Sequence, residues 1–105
     1  MISGLSAQEI QIISNVCRQF PNIESVILFG SRAMGNFKNG SDVDLAVVGN
    51  IDHATLNRFK SLLENDIPIP YFFDVIDYAS IENKDLKTHV DQYGKIIYQR
   101  DKSAT

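Results

Sequence analysis

Three aspartates are the residues of this sequence most able to do chemistry together. Asp42 and Asp44 stand at the start of one apolar run, and Asp74 lies within a later one. In a β-strand, residues i and i+2 point to the same face and lie roughly 6.5–7 Å apart along the chain. Asp42 and Asp44 are therefore expected to share a face, and Asp74 joins them if the two strands are neighbours. Asp77 falls on the opposite face of its strand.

Such a cluster needs a compensating cation, because carboxylates at short range repel one another and resist burial. Hard divalent ions such as Mg²⁺ prefer oxygen ligands and complete their shell with water and substrate phosphates. Two such ions about 3.5–4 Å apart can activate an attacking oxygen and stabilise a leaving one. A D-x-D pattern alone more often marks a turn and solvated edge charges, so the neighbouring residues must decide between these readings.

The loop before the aspartates contains a glycine–serine turn directly after an apolar run. Gly30 lets the backbone approach a ligand closely, and Ser31 offers a hydroxyl and an N–H where phosphate binds readily. Arg32 can pair with phosphate oxygens through its guanidinium fork. Asn36 and Phe37 occupy the places where a P-loop needs Lys and Ser/Thr, which excludes that motif. The acidic spacing also excludes an EF-hand.

The elements that must hold these residues alternate between helices and strands. Ser6 and Glu9 form a capping box at the start of the first helix, and Gly94 is expected at the C-cap of the last. The predicted helices cover residues 5–20, 52–66 and 83–94. The predicted strands cover residues 25–29, 42–48, 71–78 and 95–100. A short helical turn is predicted within 31–37 and a turn at 39–41. This order predicts a single α/β domain over residues 1–105, with helices packed around a small sheet and a frayed tail at about 101–105.

The net charge, the cysteine content and the length of the apolar runs exclude several classes of protein. The chain has 105 residues with a formal net charge of −3, which offers no broad basic face for nucleic acid. The single cysteine, Cys17, excludes an internal disulfide framework and is expected to be a buried small hydrophobe. No apolar run reaches the roughly 20 residues that span a bilayer, and no signal peptide is apparent. We expect a cytoplasmic protein without a membrane partner or direct nucleic-acid binding.

The motif "GSRAMG…SDVDLAVV", followed by "FFDVID", resembles the nucleotidyltransferase superfamily related to DNA polymerase beta. The size is similar to that of its minimal branch, the MNT or MntA-like antitoxins, and the resemblance covers nearly the whole chain. It implies the small mixed sheet of that fold. It also implies that Gly30 and Ser31 form the phosphate-binding turn and that Asp42, Asp44 and Asp74 bind metal. Met34 departs from the pattern, since many close relatives carry arginine there.

By the same resemblance, the chain is expected to transfer AMP from ATP to a tyrosine hydroxyl of a HEPN-domain toxin and so to act as its antitoxin. Two Mg²⁺ ions are implied, with Mn²⁺ able to substitute. The partner implies a hetero-oligomer, and self-association is possible without it. One alternative is an inactive antitoxin that neutralises its partner by contact alone. A nucleic-acid-modifying transferase is disfavoured by the acidic balance of the chain.

The remaining polar and aromatic residues are interpreted as structural. His89 falls on the apolar stripe of the last helix and is expected to be packed rather than catalytic. His53 is expected to flank a helix start, and Lys38 to be a solvated loop residue. The aromatic run at 71–73 is predicted to serve the core and an interface rather than to stack on a base.

Overall fold

The computed structural model describes residues 5–38 and 40–100, and it has the predicted alternation of helices and strands. The predicted tail at 101–105 and part of the predicted turn at 39–41 lie outside the described residues. The elements are α1 (Ala7–Cys17), β1 (Ile23–Phe29), α2 (Ser31–Met34), β2 (Val43–Gly49), α3 (His53–Asn65), β3 (Phe73–Asp77), a 3₁₀ turn (Tyr78–Ser80), α4 (Lys84–Tyr93) and β4 (Lys95–Gln99).

The four strands form one mixed sheet in the order β3-β2-β1-β4. Strand β1 pairs antiparallel with both β2 and β4. Strands β2 and β3 run parallel. Parallel neighbours need a crossover connection, and α3 supplies it. This arrangement confirms the predicted α/β fold with a small mixed sheet. It also makes neighbours of the two strands that carry the aspartates.

Helix α1 begins at the predicted capping box. The Ser6 hydroxyl accepts a hydrogen bond from the Glu9 N–H at 3.1 Å, and the Glu9 carboxylate accepts one from the Ser6 N–H at 2.9 Å. These bonds satisfy amide groups that a helix start otherwise leaves unpaired. The helix then buries Ile13 and Cys17 completely. Burial raises the pKa of the Cys17 thiol to about 12, which confirms its interpretation as a small hydrophobe.

Each strand sends alternate residues to the two faces of the sheet. Val43, Leu45 and Val47 are fully buried in the main core, which also contains residues of α1 and α3. The other face carries a smaller cluster in which Phe29 and Ala46 pack against Val90 of α4. Asp44 lies on this second face by the same alternation, where α4 and the 3₁₀ turn after β3 provide the cover.

Several element boundaries differ from the sequence prediction. Strand β3 begins at Phe73 rather than at residue 71, and the 3₁₀ turn after it was not predicted; Asp77 caps that turn through the Ala79 N–H at 3.2 Å. Gly94 is the C-cap of α4 as predicted, but its φ of −65° is not left-handed. Glycine fits there because a Cβ would meet the Val90 carbonyl oxygen at 2.3 Å and Ile27 Cγ2 at 2.5 Å. Across the described part of the chain, no helix has the length and apolar character to cross a membrane.

Candidate active site

The sheet register brings the three aspartates to one corner of the sheet. Asp44 is the second residue of β2 and stands opposite Asp74, the second residue of β3. Asp42 comes just before β2 and is exposed, while Asp44 is half-buried. Asp77 pairs with Val47, on the other face from Asp74. The condition that the two strands are neighbours is therefore met, and Asp74 and Asp77 face opposite sides as predicted.

Asp44 has the least favourable surroundings for a negative charge. Burial raises the pKa of its carboxyl, and the charges of Asp74 and then Asp42 raise it further. The charge of Arg32 opposes this rise. The three aspartates are thus close enough to act on one another electrostatically. The predicted role of this cluster in binding metal stays a prediction.

The carboxylates are neighbours, yet they do not already form a complete metal cage. Within residues 5–38 and 40–100, no three His, Cys, Asp or Glu side chains are grouped so that they could hold a metal ion as they stand. The chemistry of the donors nevertheless fits a hard divalent cation, because all three side chains offer carboxylate oxygens. The raised pKa of Asp44 adds to that fit, since a cation would relieve the repulsion that causes part of the rise.

The glycine turn packs directly against Asp44. Gly30 has φ +77° and ψ −157°, a conformation that is essentially restricted to glycine. A Cβ on Gly30 would lie 2.1 Å from Asp44 Oδ2. The sequence predicts that Gly30 admits a close approach, and the structure shows that the group it admits is the Asp44 side chain. The predicted helical turn after it is α2, in which the Met34 N–H donates to the Gly30 carbonyl at 3.2 Å.

Arg32 is almost fully buried, with 2% of its surface exposed. Its guanidinium donates to the Ser41 carbonyl through Nε at 3.0 Å and Nη2 at 2.8 Å. It also lies over the ring of Tyr71, 4.1 Å from the centroid, and 5.1 Å from that of Phe37. Arg32 therefore ties α2 to the residue just before Asp42. Its predicted contact with phosphate stays a prediction, and in this arrangement its fork is occupied by the loop.

Sequence reasoning missed a contact between α4 and the glycine turn. The Gly30 N–H donates to His89 Nε2 at 2.8 Å, across 59 positions of sequence. The apolar stripe of α4 correctly predicts that His89 is packed, because its ring lies between those of Phe29 and Tyr93 at centroid distances of 6.1 and 5.6 Å. Nothing in the local pattern indicates its hydrogen-bond partner.

The aromatic run at 71–73 divides between the interior and the surface. Phe73 is buried in the main core, as predicted for part of this run. Phe72 is 74% exposed and stands one position before the Val43–Phe73 pair, beside Asp42. Met34 of α2 is also exposed, at 48%. These side chains offer apolar surface near the aspartates, and the predicted interface role of Phe72 stays a prediction.

The aspartate corner does not coincide with a cleft at the opposite end of the β2–β3 pair. A cleft of about 610 Å³ lies at the other end of β3, between the starts of α3 and α4, and includes Asp52, Asp77 and Asn83. None of the predicted site residues lines it. We assign the chemistry to the shallower aspartate corner, because the charge cluster and the glycine turn are there and phosphates can be held by metal ions without a deep pocket.

Neutralising Asp44 is expected to stabilise the metal-free protein. A carboxyl whose folded pKa is raised binds its proton more tightly in the folded state, so its ionisation lowers stability as pH rises above the ordinary value of about 3.9. Asp44→Asn should therefore raise Tm at pH 7 in EDTA, on the order of 2 °C after allowing for solvent screening. The difference should close below about pH 4. Scanning calorimetry with Asp77→Asn as the control checks this, and a lower Tm for Asp44→Asn at pH 7 would contradict it.

Comparisons with known proteins agree with this geometry. The sequence profile of the polymerase beta nucleotidyltransferase family matches residues 11–103. A Haemophilus influenzae protein named probable protein adenylyltransferase MntA is 25% identical over 101 residues, which cover 94% of this chain and 87% of that protein.

Two solved structures share the fold. A chain from a crystal structure of a toxin–antitoxin with AMP-PNP superposes with a TM-score of 0.72 at 23% identity, covering 90% of this chain and 76% of that one. A chain from the tri-AMPylated Shewanella oneidensis HEPN toxin in complex with MNT antitoxin gives 0.59 at 20% identity, with the same two coverages. The glycine turn, the paired strands and the family match together establish that this chain is a minimal nucleotidyltransferase of the polymerase beta family.

Proposed function

We propose that this protein transfers AMP from ATP to a tyrosine hydroxyl of a HEPN-domain toxin and thereby acts as its antitoxin. The observation that carries the proposal is the Asp44–Asp74 pair on neighbouring parallel strands, with the Gly30 turn packed against Asp44. The names of the relatives support it: one is a probable protein adenylyltransferase, and others come from toxin–antitoxin complexes.

Each site residue has a distinct part in the proposed reaction. The triphosphate would lie over the Gly30–Ser31 turn beside Asp44, where the N–H and hydroxyl of Ser31 would donate to it. The acceptor oxygen attacks the α-phosphorus, the bond to the pyrophosphate oxygen breaks, and pyrophosphate leaves with that electron pair. Asp74, on the exposed edge strand β3, would take the proton from the acceptor hydroxyl. Because such transfers depend mainly on positioning and charge stabilisation, the rigid turn and the sheet register supply much of the catalysis.

Asp42, Asp44 and Asp74 would hold the divalent cations, with Mg²⁺ as the expected ion and Mn²⁺ as a substitute. Asp42 and Asp74 are exposed, which leaves their side chains room to turn toward a shared cation. When bound, the ions supply positive charge that offsets the phosphates and lowers the pKa of an attacking hydroxyl. The raised pKa of Asp44 supports this assignment, because burial and then the charges of Asp74 and Asp42 disfavour its ionised form and a cation would favour it.

The acceptor side of the site is open, and this supports a partner protein. Asp74 lies on edge strand β3 and Phe72 just before it, and both side chains are exposed. A second chain that covered Phe72 would bury apolar surface and bring its hydroxyl next to Asp74. A stable hetero-oligomer is therefore expected, with self-association of this chain when the partner is absent.

A contact-only antitoxin is the second candidate, and one observation favours it. No three of the described acidic, histidine or cysteine side chains already form a metal-binding group. A protein that only blocks its partner would not need such a group. The two functions differ in whether the partner changes covalently.

Mass spectrometry of the partner distinguishes them. A HEPN protein co-expressed with or encoded beside this chain should gain about 329 Da per transferred AMP after incubation with ATP and Mg²⁺. EDTA or Asp42→Asn should prevent the gain, and Asp77→Asn should not. Replacing the modified tyrosine of the partner by phenylalanine should also prevent it. Tight binding of the partner without any gain in mass would contradict the transferase and leave the contact-only antitoxin.

A further inference from the structure

The hydrogen bond between Gly30 and His89 fixes the state of the imidazole. A backbone N–H can only donate, so His89 Nε2 must accept the bond at 2.8 Å and carries no hydrogen. In the neutral ring the hydrogen therefore resides on Nδ1. The bond is partly buried and joins α4 to the loop after β1, two elements that are remote in sequence.

The position of His89 is set by the packing of α4 on the sheet. The next residue, Val90, is 2% exposed and packs against Phe29 and Ala46. The His89 ring meets the Phe29 ring edge-on, with an interplanar angle of 76°, and lies tilted against Tyr93. The imidazole thus cannot move far without disturbing the small cluster under α4. The hydrogen bond from Gly30 N–H therefore ties the turn to a side chain whose position is set by packing.

Gly30 is held by two contacts, one with His89 and one with Asp44. Its N–H bonds to His89, and the position where a Cβ would stand is already filled by the Asp44 carboxylate. A shift of the turn into Asp44 meets that carboxylate, and a shift that lengthens the 2.8 Å bond to Nε2 weakens it. The distance between the phosphate turn and the aspartate cluster therefore depends on His89.

We propose that His89 is a positioning residue, which sets the affinity for nucleotide by holding the Gly30–Ser31 turn at a fixed distance from Asp44. The effect on nucleotide affinity rests on the proposed function, whereas the restraint of the Gly30 turn by His89 does not. His89 touches neither substrate nor metal and acts only through the Gly30 backbone. Loss of the acceptor should therefore raise KM for ATP with little change in kcat, provided that the partner is present to complete the site.

Three variants separate the hydrogen bond from the packing. His89→Leu keeps an apolar side chain but removes the acceptor, His89→Gln restores an acceptor near the place of Nε2, and Tyr93→Leu removes the ring neighbour while leaving the bond. Amide hydrogen exchange of Gly30 in the free protein is the first measurement. Protection should fall at least about fivefold in His89→Leu and stay within about twofold in the other two.

Titration with AMP-PNP and Mg²⁺ is the second measurement. The Kd should rise about five- to tenfold in His89→Leu, which is the net effect of one lost hydrogen bond, and by less than about twofold in His89→Gln and Tyr93→Leu. Equal weakening by His89→Leu and Tyr93→Leu would overturn the proposal, because packing alone would then explain it. Unchanged binding in His89→Leu would overturn it as well.

The imidazole of the wild-type protein provides a test that needs no variant to fold. Long-range ¹H–¹⁵N spectra should show the neutral His89 ring with hydrogen on Nδ1, while His53 at the start of α3 serves as the exposed reference. Hydrogen on Nε2 would overturn the proposal. If the wild-type chain binds no AMP-PNP even with its partner, the proposed function fails. The Gly30 exchange and the His89 tautomer then still decide whether His89 holds the turn.

Discussion

Asp74→Asn is expected to lower AMP transfer at least about a hundredfold while nucleotide binding stays within about threefold. The reason is the place of Asp74 on edge strand β3, opposite Asp44, where it would serve the acceptor hydroxyl rather than the triphosphate turn. Single-turnover transfer to the partner measures the first quantity, and titration with AMP-PNP measures the second. Loss of the Asp74 carboxylate should lower the rate of AMP transfer more than the affinity for nucleotide, because Asp74 would act on the acceptor hydroxyl.

Asp77→Asn is the matched control, because it makes the same chemical change three residues later in the same strand. Asp77 pairs with Val47 on the other face and caps the 3₁₀ turn through Ala79 and Ser80. Asparagine keeps one oxygen that can accept the Ala79 bond, so transfer should stay within about twofold. If Asp77→Asn were the more damaging variant, the assignment of Asp74 to the reacting face would be wrong.

Gly30→Ala is expected to abolish detectable nucleotide binding and transfer. Its methyl group would stand 2.1 Å from Asp44 Oδ2 in a backbone conformation that alanine avoids, so the turn or the carboxylate must move. Either movement separates the phosphate turn from the aspartates. Titration with AMP-PNP, together with a melting curve that shows the variant is folded, measures the effect.

Gly35→Ala separates the steric effect of Gly30→Ala from simple backbone strain. Gly35 also has a positive φ, +83°, but a Cβ there would meet no atom within 4 Å. It should cost about 1 kcal/mol of stability, as left-handed alanine does, and leave nucleotide binding within about threefold. Equal loss of binding in the two variants would show that strain, rather than the approach to Asp44, explains the result.

Local sequence patterns were sufficient for the elements and for the carboxylate pair. The Ser6–Glu9 box gave the start of α1 because a capping box uses residues three apart, and the alternation in residues 42–48 gave the face of Asp44. The pairing of β2 with β3 follows from the usual adjacency of strands that a crossover helix joins. These features depend on neighbours in sequence or on general rules of topology.

Contacts between segments that are distant in the chain could not be predicted from the sequence. His89 can accept the hydrogen bond from Gly30 only when α4 packs on β1 in the right position, and no local sequence pattern determines that position. The sequence indicated only a contact with phosphate for Arg32, yet Tyr71, Phe37 and the Ser41 carbonyl together enclose its guanidinium. Three segments must fold around it before it is buried. The 3₁₀ turn after β3 is too short to leave a periodic signal.

The parallel crossover between β2 and β3 also has a consequence for the order of folding. Asp44 meets Phe29 across an antiparallel pair only 15 residues apart, but it meets Asp74 only after α3 has carried the chain back across 30 residues. Contacts that close longer loops form at a greater entropic cost, so β3 is expected to dock after the β1–β2 pair. Repulsion between Asp44 and Asp74 then acts at the docking of β3 and not before. The nucleotide site is thus expected to be completed late in folding and to open early in unfolding, and a cation bound there would slow the first step of unfolding.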